Sequence, residues 1–461
     1  MTKQASVRMT SRHRAQLMEH LFPGDGREAV AIAVCGRSEG PRRETLLVQE
    51  IEPVPYSICH REPDFITWPT DYILPLLDRA AERGLRVIKF HSHPGGFSEF
   101  SNQDDRSDCS LFPFISNWTG EDSHNASVVV LPGGRMFGRI VSSDGSFHEL
   151  AAIGVTGDDL SFSYPAGSVH VPEFAKRHAQ LFGAGTTQTM RKLRIGVVGC
   201  SGTGSIVVLQ LAHLGVAHLV IIDPDVIEEK NLNRIPGATM KDAVERAFKV
   251  DVAKRYIEAL GLGTEVTALH SELGTPAAIR AIAECDIVFG CMDGAEGRHL
   301  LNRLATFYLL PYFDLGVRLD ADGRGGVDQV CGTVHYLQPG GSSLVSRGVF
   351  TLEDVRAEGL KRADPEAYRE QLRSKYIVGV QEDRPAVISV NMQIASMAVN
   401  EMLARLHPFR NEPNSDYAAS RLSVKHGQLF SEPDGVPCPL LGRHAGRGDV
   451  RPLLERPDLS E

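Results

Sequence analysis

The hydrophobic positions of this chain follow two different periods. Leu85 to Phe90 tends to alternate apolar and polar residues as a strand does, and Ser127 to Leu131 and Arg135 to Ser142 flank a Pro-Gly-Gly turn as the arms of a hairpin would. Val387 to Leu406 instead repeats its apolar residues with the period of a helix. This mixture of short strands and longer helices predicts an α/β protein.

The most regular pattern lies between residues 194 and 234, where a strand, a glycine-rich turn, a helix and a second strand follow one another. The apolar run Ile195 to Val198 predicts the first strand, Ile206 to Leu214 predicts the helix, and Val220 to Ile222 predicts the second strand. This order is typical of a Rossmann-like nucleotide-binding unit.

The glycines and the acidic residue of this unit predict a phosphate site and a ribose site. Gly199, Gly202 and Gly204 let the chain turn tightly and point backbone amides at a phosphate beside a helix N-terminus. Asp223 follows the second strand, where a carboxylate accepts a hydrogen bond from a ribose hydroxyl. These four residues alone favour an NAD(P)- or FAD-dependent oxidoreductase, which we keep as an alternative.

Further polar residues favour a nucleoside triphosphate over a dinucleotide. Asn231 and Arg234 follow Asp223 by eight and eleven residues, and Lys249 comes later in a helical segment. A dinucleotide site has no use for a guanidinium and an ammonium aimed at a triphosphate. Asp293 comes shortly after the predicted strand Cys285 to Phe289, so it lies where a magnesium-binding carboxylate is expected.

These spaced motifs resemble the ThiF/MoeB/HesA adenylyltransferases of the ubiquitin-activating superfamily, over roughly residues 172 to 430. The resemblance implies ATP and Mg²⁺ as cofactors, with Asp223 on the ribose and Asp293 on the metal. Around the phosphates it implies the glycine turn together with Asn231, Arg234 and Lys249. It also implies a homodimer in which Arg177 reaches the γ-phosphate in the neighbouring subunit.

A second chemical motif lies in the first third of the chain. It consists of His91-Ser92-His93-Pro94, followed by Ser101 and Asp104. Side chains two residues apart on a strand point to the same side, so both imidazoles and the later carboxylate can hold one zinc ion. Three protein ligands leave the fourth position of a tetrahedral ion open for water, which is the arrangement of a catalytic site.

Such a site also needs a general base. Glu28 is our first candidate, because it opens an apolar run ending in Cys35-Gly36 that we expect to form an edge-like strand. Glu44 and Glu50 are alternatives, disfavoured because neither begins an apolar run that ends in Cys-Gly.

This set of residues resembles the JAMM signature of the JAB/MPN metalloproteases, zinc-dependent isopeptidases that act on ubiquitin and ubiquitin-like proteins. The resemblance implies that His91, His93 and Asp104 bind zinc. It further implies that Glu28 is the catalytic acid/base and that Ser101 stabilises the oxyanion.

The length of 461 residues suggests two or three domains rather than one core. We predict a JAB/MPN domain at residues 1–155, a linker at 156–171, a Rossmann-like ThiF-type domain at 172–430 and a loose tail at 431–461. The linker is predicted because residues 152 to 170 mix turn-forming residues without a sustained period.

The charge and the apolar content of the chain exclude several classes of partner. A net charge of -9, with no block of basic residues, argues against nucleic acid as the main partner. No apolar run reaches a membrane-spanning length, and the first 24 residues lack a signal-peptide core, so we expect a cytoplasmic protein without a membrane partner. Eight cysteines without CxxC spacing predict reduced, buried thiols.

The two resemblances together predict a bifunctional enzyme. One half would cleave after the C-terminal glycine of a ubiquitin-like or sulfur-carrier protein, and the other would adenylate the same carboxylate with ATP. We also consider a conjugating enzyme as a partner. A binding or regulatory protein with reduced catalysis is the remaining alternative.

Two absences in the sequence sharpen this prediction. In relatives a CxxC pair after the strand corresponding to Thr333 to Gln338 often binds a structural zinc with a second pair near the C-terminus. Here the first pair is replaced by Ser343-Leu344-Val345-Ser346 and only Cys438 lies near the end, so we expect no such zinc. No cysteine lies between Cys331 and Cys438, and Cys331 is expected to be packed in its strand, so we expect no thioester intermediate.

Overall fold

The computed structural model of the protein describes residues 3–120, 124–167, 170–373 and 385–459. The chain divides into two compact units. Unit 1 contains residues 1–168 together with 307–309 and 444–460, and unit 2 contains residues 169–306 and 310–443. Among the helices of the described ranges, none combines the length and the apolar character that crossing a membrane requires.

Unit 1 is built around a mixed sheet of nine strands in the order β11-β10-β1-β3-β2-β6-β7-β8-β9, and β4 and β5 form a separate hairpin. Its elements in chain order are β1 (Gln4–Thr10), α1 (Ser11–Leu21), β2 (Val30–Glu39), β3 (Arg43–Pro53), β4 (His60–Glu62), β5 (Phe65–Thr67), α2 (Leu74–Arg83), β6 (Arg86–Ser92), α3 (Asn102–Thr119), β7 (Asn125–Val130), β8 (Met136–Val141), β9 (Phe147–Glu149), β10 (Ala152–Thr156) and β11 (Leu160–Ser163).

Both faces of this sheet are covered by helices, as the neighbours of β2 show. Ala31 and Ala33 pack in one core together with Leu17 of α1. Ile32 packs in a second core on the other face, together with Leu77 of α2. The prediction of an edge-like strand after Glu28 is therefore wrong, because β2 lies between β3 and β6 in the interior of the sheet. A continuous apolar run is what a strand buried on both faces requires.

Two segments that we expected to be loosely structured belong to unit 1. Residues 152–163, predicted to lie largely in the linker, form β10 and β11, which pair antiparallel at the edge of the sheet. Part of the predicted tail packs beside β2 and β3, where Gly448 forms a parallel bridge with Arg37 and the carbonyl of Gly446 accepts a hydrogen bond from Gln49 at 3.1 Å. Backbone pairing of this kind carries no apolar period, so the sequence pattern does not reveal it.

Unit 2 contains a sheet of eight strands in the order β14-β13-β12-β15-β16-β17-β18-β19, parallel from β14 to β16 and antiparallel afterwards. Its elements in chain order are α4 (Lys176–Met190), β12 (Arg194–Val198), α5 (Gly204–His213), β13 (His218–Ile222), α6 (Met240–Glu245), α7 (Lys249–Ala259), β14 (Glu265–Leu269), α8 (Pro276–Ala283), β15 (Ile287–Gly290), α9 (Ala295–Phe307), β16 (Tyr312–Ala321), β17 (Val327–Leu337), α10 (Leu352–Ala363), α11 (Pro365–Arg373), α12 (Ile388–Leu406), β18 (Ala419–Ser423) and β19 (Gln428–Glu432).

The predicted strand, helix and strand of the glycine-rich unit correspond to β12, α5 and β13, and the α/β fold class is confirmed. The stretch 417–430, predicted as one strand, is a hairpin instead. Its turn includes Gly427, whose φ of 61° is a conformation that favours glycine. The alternation of residues continues through the turn, so the period alone does not show the reversal.

Candidate metal centre and nucleotide cavity

Three side chains of unit 1 come together as a possible metal-ligand set. His91, His93 and Asp104 are all buried, and their potential ligand atoms lie within 4.8 Å of one another. The Nε2 atom of His91 is 2.9 Å from Oδ1 of Asp104, and the Nε2 atom of His93 is 3.4 Å from Oδ2. Ligands at the usual zinc distances around a tetrahedral ion are about 3.4 Å apart, so these residues fit zinc in number, type and spacing.

Local backbone structure explains how these three residues meet. His91 lies on β6, and His93 follows directly after the strand, where its backbone N–H still donates to Val130 of the neighbouring β7 at 3.1 Å. Asp104 lies in the first turn of α3, which Ser101 caps: the Ser101 hydroxyl accepts from the Asp104 N–H at 3.1 Å. That hydroxyl also donates to Oδ2 of Asp104 at 2.8 Å, so Ser101 contacts the carboxylate of the predicted ligand. The S-x-x-D spacing is thus also a helix cap.

The surroundings of the three side chains fix the ring of His93 and shift the pKa values of His91 and Asp104. Nδ1 of His93 lies 2.8 Å from the carbonyl oxygen of Phe97, a contact that holds the proton on Nδ1 and leaves Nε2 free to bind a metal. Burial lowers the pKa of His91 and so favours the neutral ring. Burial alone would raise the pKa of Asp104, but the two imidazoles outweigh it and keep that pKa far below its usual range. Zinc binds the neutral imidazole and the ionised carboxylate, the forms that these shifts favour for His91 and for Asp104.

Glu28 lies beside the metal-ligand set. Its Oε1 atom is 4.0 Å from Nε2 of His93, and burial raises its pKa to about 7. The backbone of Glu28 is held on both sides, because its N–H donates to the carbonyl of Glu62 at 2.9 Å and its carbonyl accepts from Arg61 at 2.7 Å. A carboxylic acid with a pKa near neutrality is suited to proton transfer at physiological pH.

The two alternative glutamates lie elsewhere on β3. Glu44 contacts His124 at 2.6 Å, and Glu50 contacts Arg79 at 3.4 Å. The small cleft at the metal-ligand set is lined by Glu28 and by neither of them.

The predicted nucleotide residues of unit 2 line a much larger cavity, of about 800 Å³. It lies at the carboxyl ends of β12, β13 and β15, the edge of a parallel sheet at which ligands bind. The predicted site residues that line it are Gly199, Gly202, Asp223, Asn231, Arg234, Lys249 and Asp293.

The glycine turn has little room for side chains. Gly199 has a φ of 90°, and a Cβ atom there would lie 2.6 Å from the carbonyl oxygen of Cys291. A Cβ atom on Gly204 would lie 1.8 Å from the carbonyl oxygen of Gly199. Gly204 therefore allows the turn to close onto α5, although it does not itself line the cavity.

The charged residues of the cavity contact one another. Nζ of Lys249 is 2.6 Å from Oδ2 of Asp225 and 3.9 Å from Oδ1 of Asp223. The carboxylate of Asp223 accepts from the backbone N–H of Cys200 at 2.6 Å, and its burial raises its pKa. These contacts place an ammonium group beside the carboxylate predicted to bind ribose.

Asn231 and Arg234 make local contacts at the cavity wall. The side chain of Asn231 accepts from the backbone N–H of Glu228 at 2.9 Å, and Arg234 donates to the carbonyl of Lys230 at 2.7 Å. A phosphate ligand would compete with the Lys230 carbonyl for the Arg234 guanidinium, whereas the contact of Asn231 uses its amide oxygen and none of its N–H donors.

Asp293 follows β15 and is exposed at the cavity wall, as predicted. It also lines a second cavity, of about 510 Å³, whose floor is formed by β16, β17 and β18. Arg298 lies in that second cavity and forms a two-point ion pair with the buried Asp314. Cys331 lines it as well and is only partly buried, so the expectation that this thiol is packed in its strand is wrong.

Arg177 is separate from this group. It is exposed on α4 and does not occur among the described residues that line the nucleotide cavity. Its predicted role concerns a neighbouring subunit, so it stays a prediction.

Several residues of the nucleotide cavity were not predicted from the sequence, among them Asn391 and Glu358. Asn391 of α12 lines it and is buried, and a Cβ atom on Gly202 would lie 2.3 Å from its Nδ2 atom. Glu358 of α10 lines it too, and its carboxylate accepts from the backbone N–H of Glu296 at 2.9 Å. The sequence held no distinctive signal for Asn391, because Gln393 and Asn400 are further amides in the same helical run.

The remaining sequence expectations concern the cysteines. All eight lie in the described ranges and none forms a disulfide bond there; five of them are buried, whereas Cys109 is exposed. The serines that replace the CxxC pair lie beside Cys438, with Oγ of Ser343 donating to Sγ of Cys438 at 3.1 Å. The predicted absence of a structural zinc at that point stays a prediction.

Comparison with known proteins agrees with both sequence resemblances. The chain belongs to the ThiF family, whose family model matches residues 175–432. A second model, for prokaryotic homologues of the JAB domain, matches residues 10–137.

Individual relatives match shorter parts of the chain. The adenylyltransferase and sulfurtransferase UBA4 of Yarrowia lipolytica is 32% identical over 130 residues, which are 28% of this chain and 32% of that protein. Ubiquitin-like modifier-activating enzyme 5 of Culex quinquefasciatus is 27% identical over 186 residues, which are 38% of this chain and 45% of that protein. The chain thus spans less than half the length of these curated relatives, 32% of one and 45% of the other.

Among solved structures, E. coli MccB with ATP resembles the chain at 17% identity. The match covers 60% of this chain and 75% of that one, with a TM-score of 0.45.

Proposed function

We propose that this protein acts twice on the C-terminus of a ubiquitin-like or sulfur-carrier protein. Unit 2 would adenylate the C-terminal carboxylate with ATP, and unit 1 would cleave the bond that follows the same terminal glycine. Relatives named as adenylyltransferases and as modifier-activating enzymes support the first activity. The observation that carries the second is the convergence of His91, His93 and Asp104 within 4.8 Å, beside Glu28.

In the adenylation reaction, a carboxylate oxygen of the modifier would attack the α-phosphorus of ATP. The bond between the α-phosphorus and the oxygen bridging to the β-phosphate would break, giving an acyl-adenylate and pyrophosphate. The glycine turn at Gly199 and Lys249 would hold the phosphates, and Asp293 would hold Mg²⁺. The second cavity, which shares Asp293 with the first, offers the modifier tail a route to the reacting phosphate.

In the cleavage reaction, His91, His93 and Asp104 would hold a zinc ion. Zinc bound there would supply a Lewis acid for the scissile carbonyl and lower the pKa of a water molecule. Glu28 would take a proton from the attacking water on its carboxylate and deliver it to the leaving amine. The proximity of Glu28 to His93 and the raised pKa of Glu28 both suit that proton transfer.

The adenylation proposal is tested by pyrophosphate exchange into ATP. Purified ubiquitin-like and sulfur-carrier proteins ending in glycine are the probes, and the same proteins truncated by their last two residues are the control. Exchange that depends on the intact tail supports the proposal. Exchange with none of the intact proteins, together with NADH binding on fluorescence titration, would identify the oxidoreductase alternative instead.

The cleavage proposal is tested with fusions of the same proteins to a small reporter through their terminal glycine. Cleavage after that glycine by protein that carries about one zinc per chain supports it. If zinc-loaded protein does not cleave the fusions, the alternative of a binding or regulatory protein is favoured.

A further inference from the structure

Next to the metal-ligand set, three polar side chains form a row across three strands of unit 1. Lys89 of β6 is in register with Ser127 of β7, and Ser127 is in register with Arg139 of β8. Residues opposite one another on paired strands point to the same face of a sheet. All three are buried, at 4%, 0% and 7% exposure, so each needs a polar partner inside the protein.

That partner is Asp108 of α3, which is fully buried and accepts from all three members of the row. Lys89 forms an ion pair with Oδ1, and the hydroxyl of Ser127 donates to the same oxygen at 3.2 Å. Arg139 donates to Oδ2 through Nε at 3.1 Å and through Nη2 at 2.7 Å. One carboxylate therefore binds α3 to three strands at a single point.

The guanidinium group of Arg139 is itself fixed. It lies between two aromatic rings, 3.8 Å from the centre of Phe100 and 3.7 Å from the centre of Phe147. Stacking on both faces restricts the orientation in which Arg139 meets Asp108.

The contact of Asp108 with Lys89 and the contact of Asp104 with His91 are separated by similar distances along the helix and along the strand. His91 lies two residues after Lys89 on β6, a distance of roughly 6.6 Å along a strand. Asp104 lies four residues before Asp108 on α3, a distance of roughly 6 Å along a helix. Because α3 runs opposite to β6, fixing Asp108 over Lys89 brings Asp104 over His91, where their ligand atoms are 2.9 Å apart.

We infer that Asp108 is a positioning residue that sets the distance between the helix ligand and the strand ligands of the metal site. This inference rests on the zinc site proposed above. Asp108 lies one helical turn from Asp104 and has no place in the ligand set itself. Groups that orient metal ligands from outside the coordination sphere typically alter metal affinity about 10- to 100-fold when they are changed.

The experiment measures zinc affinity of the full-length protein by competition with a chromophoric chelator. Asp108→Asn removes the charge that holds Lys89 and Arg139, and we expect zinc to bind about 10- to 100-fold more weakly. Asp105→Asn is the matched control. Asp105 lies on the same helix and accepts from Nη1 of the same Arg139 at 2.5 Å, but it is half-exposed, so its loss should change zinc affinity less than about threefold.

A second variant separates positioning from folding. Asp108→Glu keeps the charge opposite Lys89 and Arg139 but adds one methylene between α3 and the sheet. If Asp108 only neutralises buried charge, this variant binds zinc as the wild type does, and the inference is overturned. If it sets a distance, zinc binding stays weakened, and the visible spectrum of the Co²⁺-substituted protein changes in intensity because the ligand geometry has changed.

Failure of the inference is distinct from failure of the proposed function. Wild-type protein that takes up no zinc would reject the metal site, whatever Asp108 does. Wild-type protein that takes up one zinc, with equal affinity in folded Asp108→Glu and Asp108→Asn proteins, would reject only the positioning role. Circular dichroism at the assay temperature shows whether each variant is folded, and Asp108→Glu decides the question if Asp108→Asn does not fold.

Discussion

The two candidate sites differ in how far they are assembled before any ligand arrives. In the metal-ligand set, the polar groups contact one another: His91 and His93 both lie against Asp104. In the nucleotide cavity, backbone groups hold the polar side chains as well: Lys249 lies 2.6 Å from Asp225, but Arg234 donates to the carbonyl of Lys230. A zinc ion would replace contacts among its own ligands, whereas a triphosphate would have to exchange existing hydrogen bonds for new ones.

The difference follows from the size and the origin of each site. The metal ligands lie between residues 91 and 104, on a strand, directly after it and in the next helix, in a buried cleft. The nucleotide cavity takes its wall from residues spread between 198 and 391, and it is wide enough for a nucleotide. The polar groups of a small buried site can contact little except one another, while those of an open cavity can exchange their local hydrogen bonds with solvent and substrate.

The largest effect is expected from removing a metal ligand. His91→Ala should abolish zinc uptake and cleavage of a modifier fusion, because only two of the three protein ligands that a catalytic zinc site needs would remain. Pyrophosphate exchange by unit 2 should continue unchanged. Zinc content by atomic absorption and both activities are measured on the same preparation, with His148→Ala, an exposed histidine of β9, as the control. Retention of a full zinc equivalent would mean that the metal binds elsewhere.

Glu28→Gln should separate metal binding from catalysis. The amide cannot accept the proton of the attacking water, so cleavage should fall by about 10²- to 10⁴-fold while zinc content stays at one per chain. Glu50→Gln on β3 is the matched control and should behave as the wild type. If cleavage survives in Glu28→Gln and falls in the control, the general base has been assigned to the wrong glutamate.

The metal site could be predicted from the sequence largely because its residues are close together along the chain. Spacing alone identified His91, His93 and Asp104, which the structure brings together. Asp108 was not identified, because one acidic residue on a helix has no signature until its partners on three strands are known. Its role depends on strand register, which the pattern of one chain segment does not specify.

The fold was predictable where the apolar period is strong and local. The strand, helix and strand around the glycine turn follow from residues 194–222, and the helix at 388–406 from its own period. The edge-strand prediction after Glu28 failed because one strand's pattern does not show its neighbours. The pairing of Gly448 with Arg37 was missed because it depends on contacts across more than 400 residues, not on local composition.

Asp293→Ala tests whether the larger cavity depends on a single carboxylate as the metal site depends on its ligands. Loss of the Mg²⁺ anchor should lower modifier-dependent pyrophosphate exchange by about 10²- to 10³-fold. Zinc content and fusion cleavage should not change. Asp328→Ala, an exposed aspartate on β17, serves as the control. Equal exchange in both variants would exclude Asp293 from the reaction.

Arg177 tests whether the nucleotide cavity is completed by a second subunit. Arg177→Ala should reduce exchange by a similar factor, although the residue does not line the cavity of its own chain. When equal amounts of the Arg177→Ala and Asp293→Ala proteins are mixed and their subunits exchange, half of the dimers become heterodimers. Each heterodimer holds one complete site out of two, so the mixture should recover about a quarter of wild-type activity. A mixture that forms heterodimers and remains inactive would place Arg177 outside the neighbouring site.

The smallest effect on pyrophosphate exchange is expected from replacing a cysteine. Whether a cysteine reacts with the acyl-adenylate determines how the reaction ends. Cys291 lines the nucleotide cavity, but burial raises its thiol pKa far above the usual range, so the nucleophilic thiolate is not available. Cys331 is the cysteine to examine, because it is partly buried and lines the second cavity together with Asp293. We expect no thioester there, so the acyl-adenylate should pass directly to an external thiol or amine, or, least favoured, to a hydroxyl such as that of Ser346 or Thr351.

Cys331→Ser should therefore leave pyrophosphate exchange within about twofold of the wild type, since the exchange reaction ends at the acyl-adenylate and needs no thiol. Enzyme incubated with ATP and modifier should show no covalent adduct on denaturing gels without reductant. An adduct that disappears on adding thiol and is absent from Cys331→Ser would overturn this expectation. It would also change the comparison between the two sites. The nucleotide-binding unit would then form a covalent enzyme–modifier intermediate, whereas the metal site would form none.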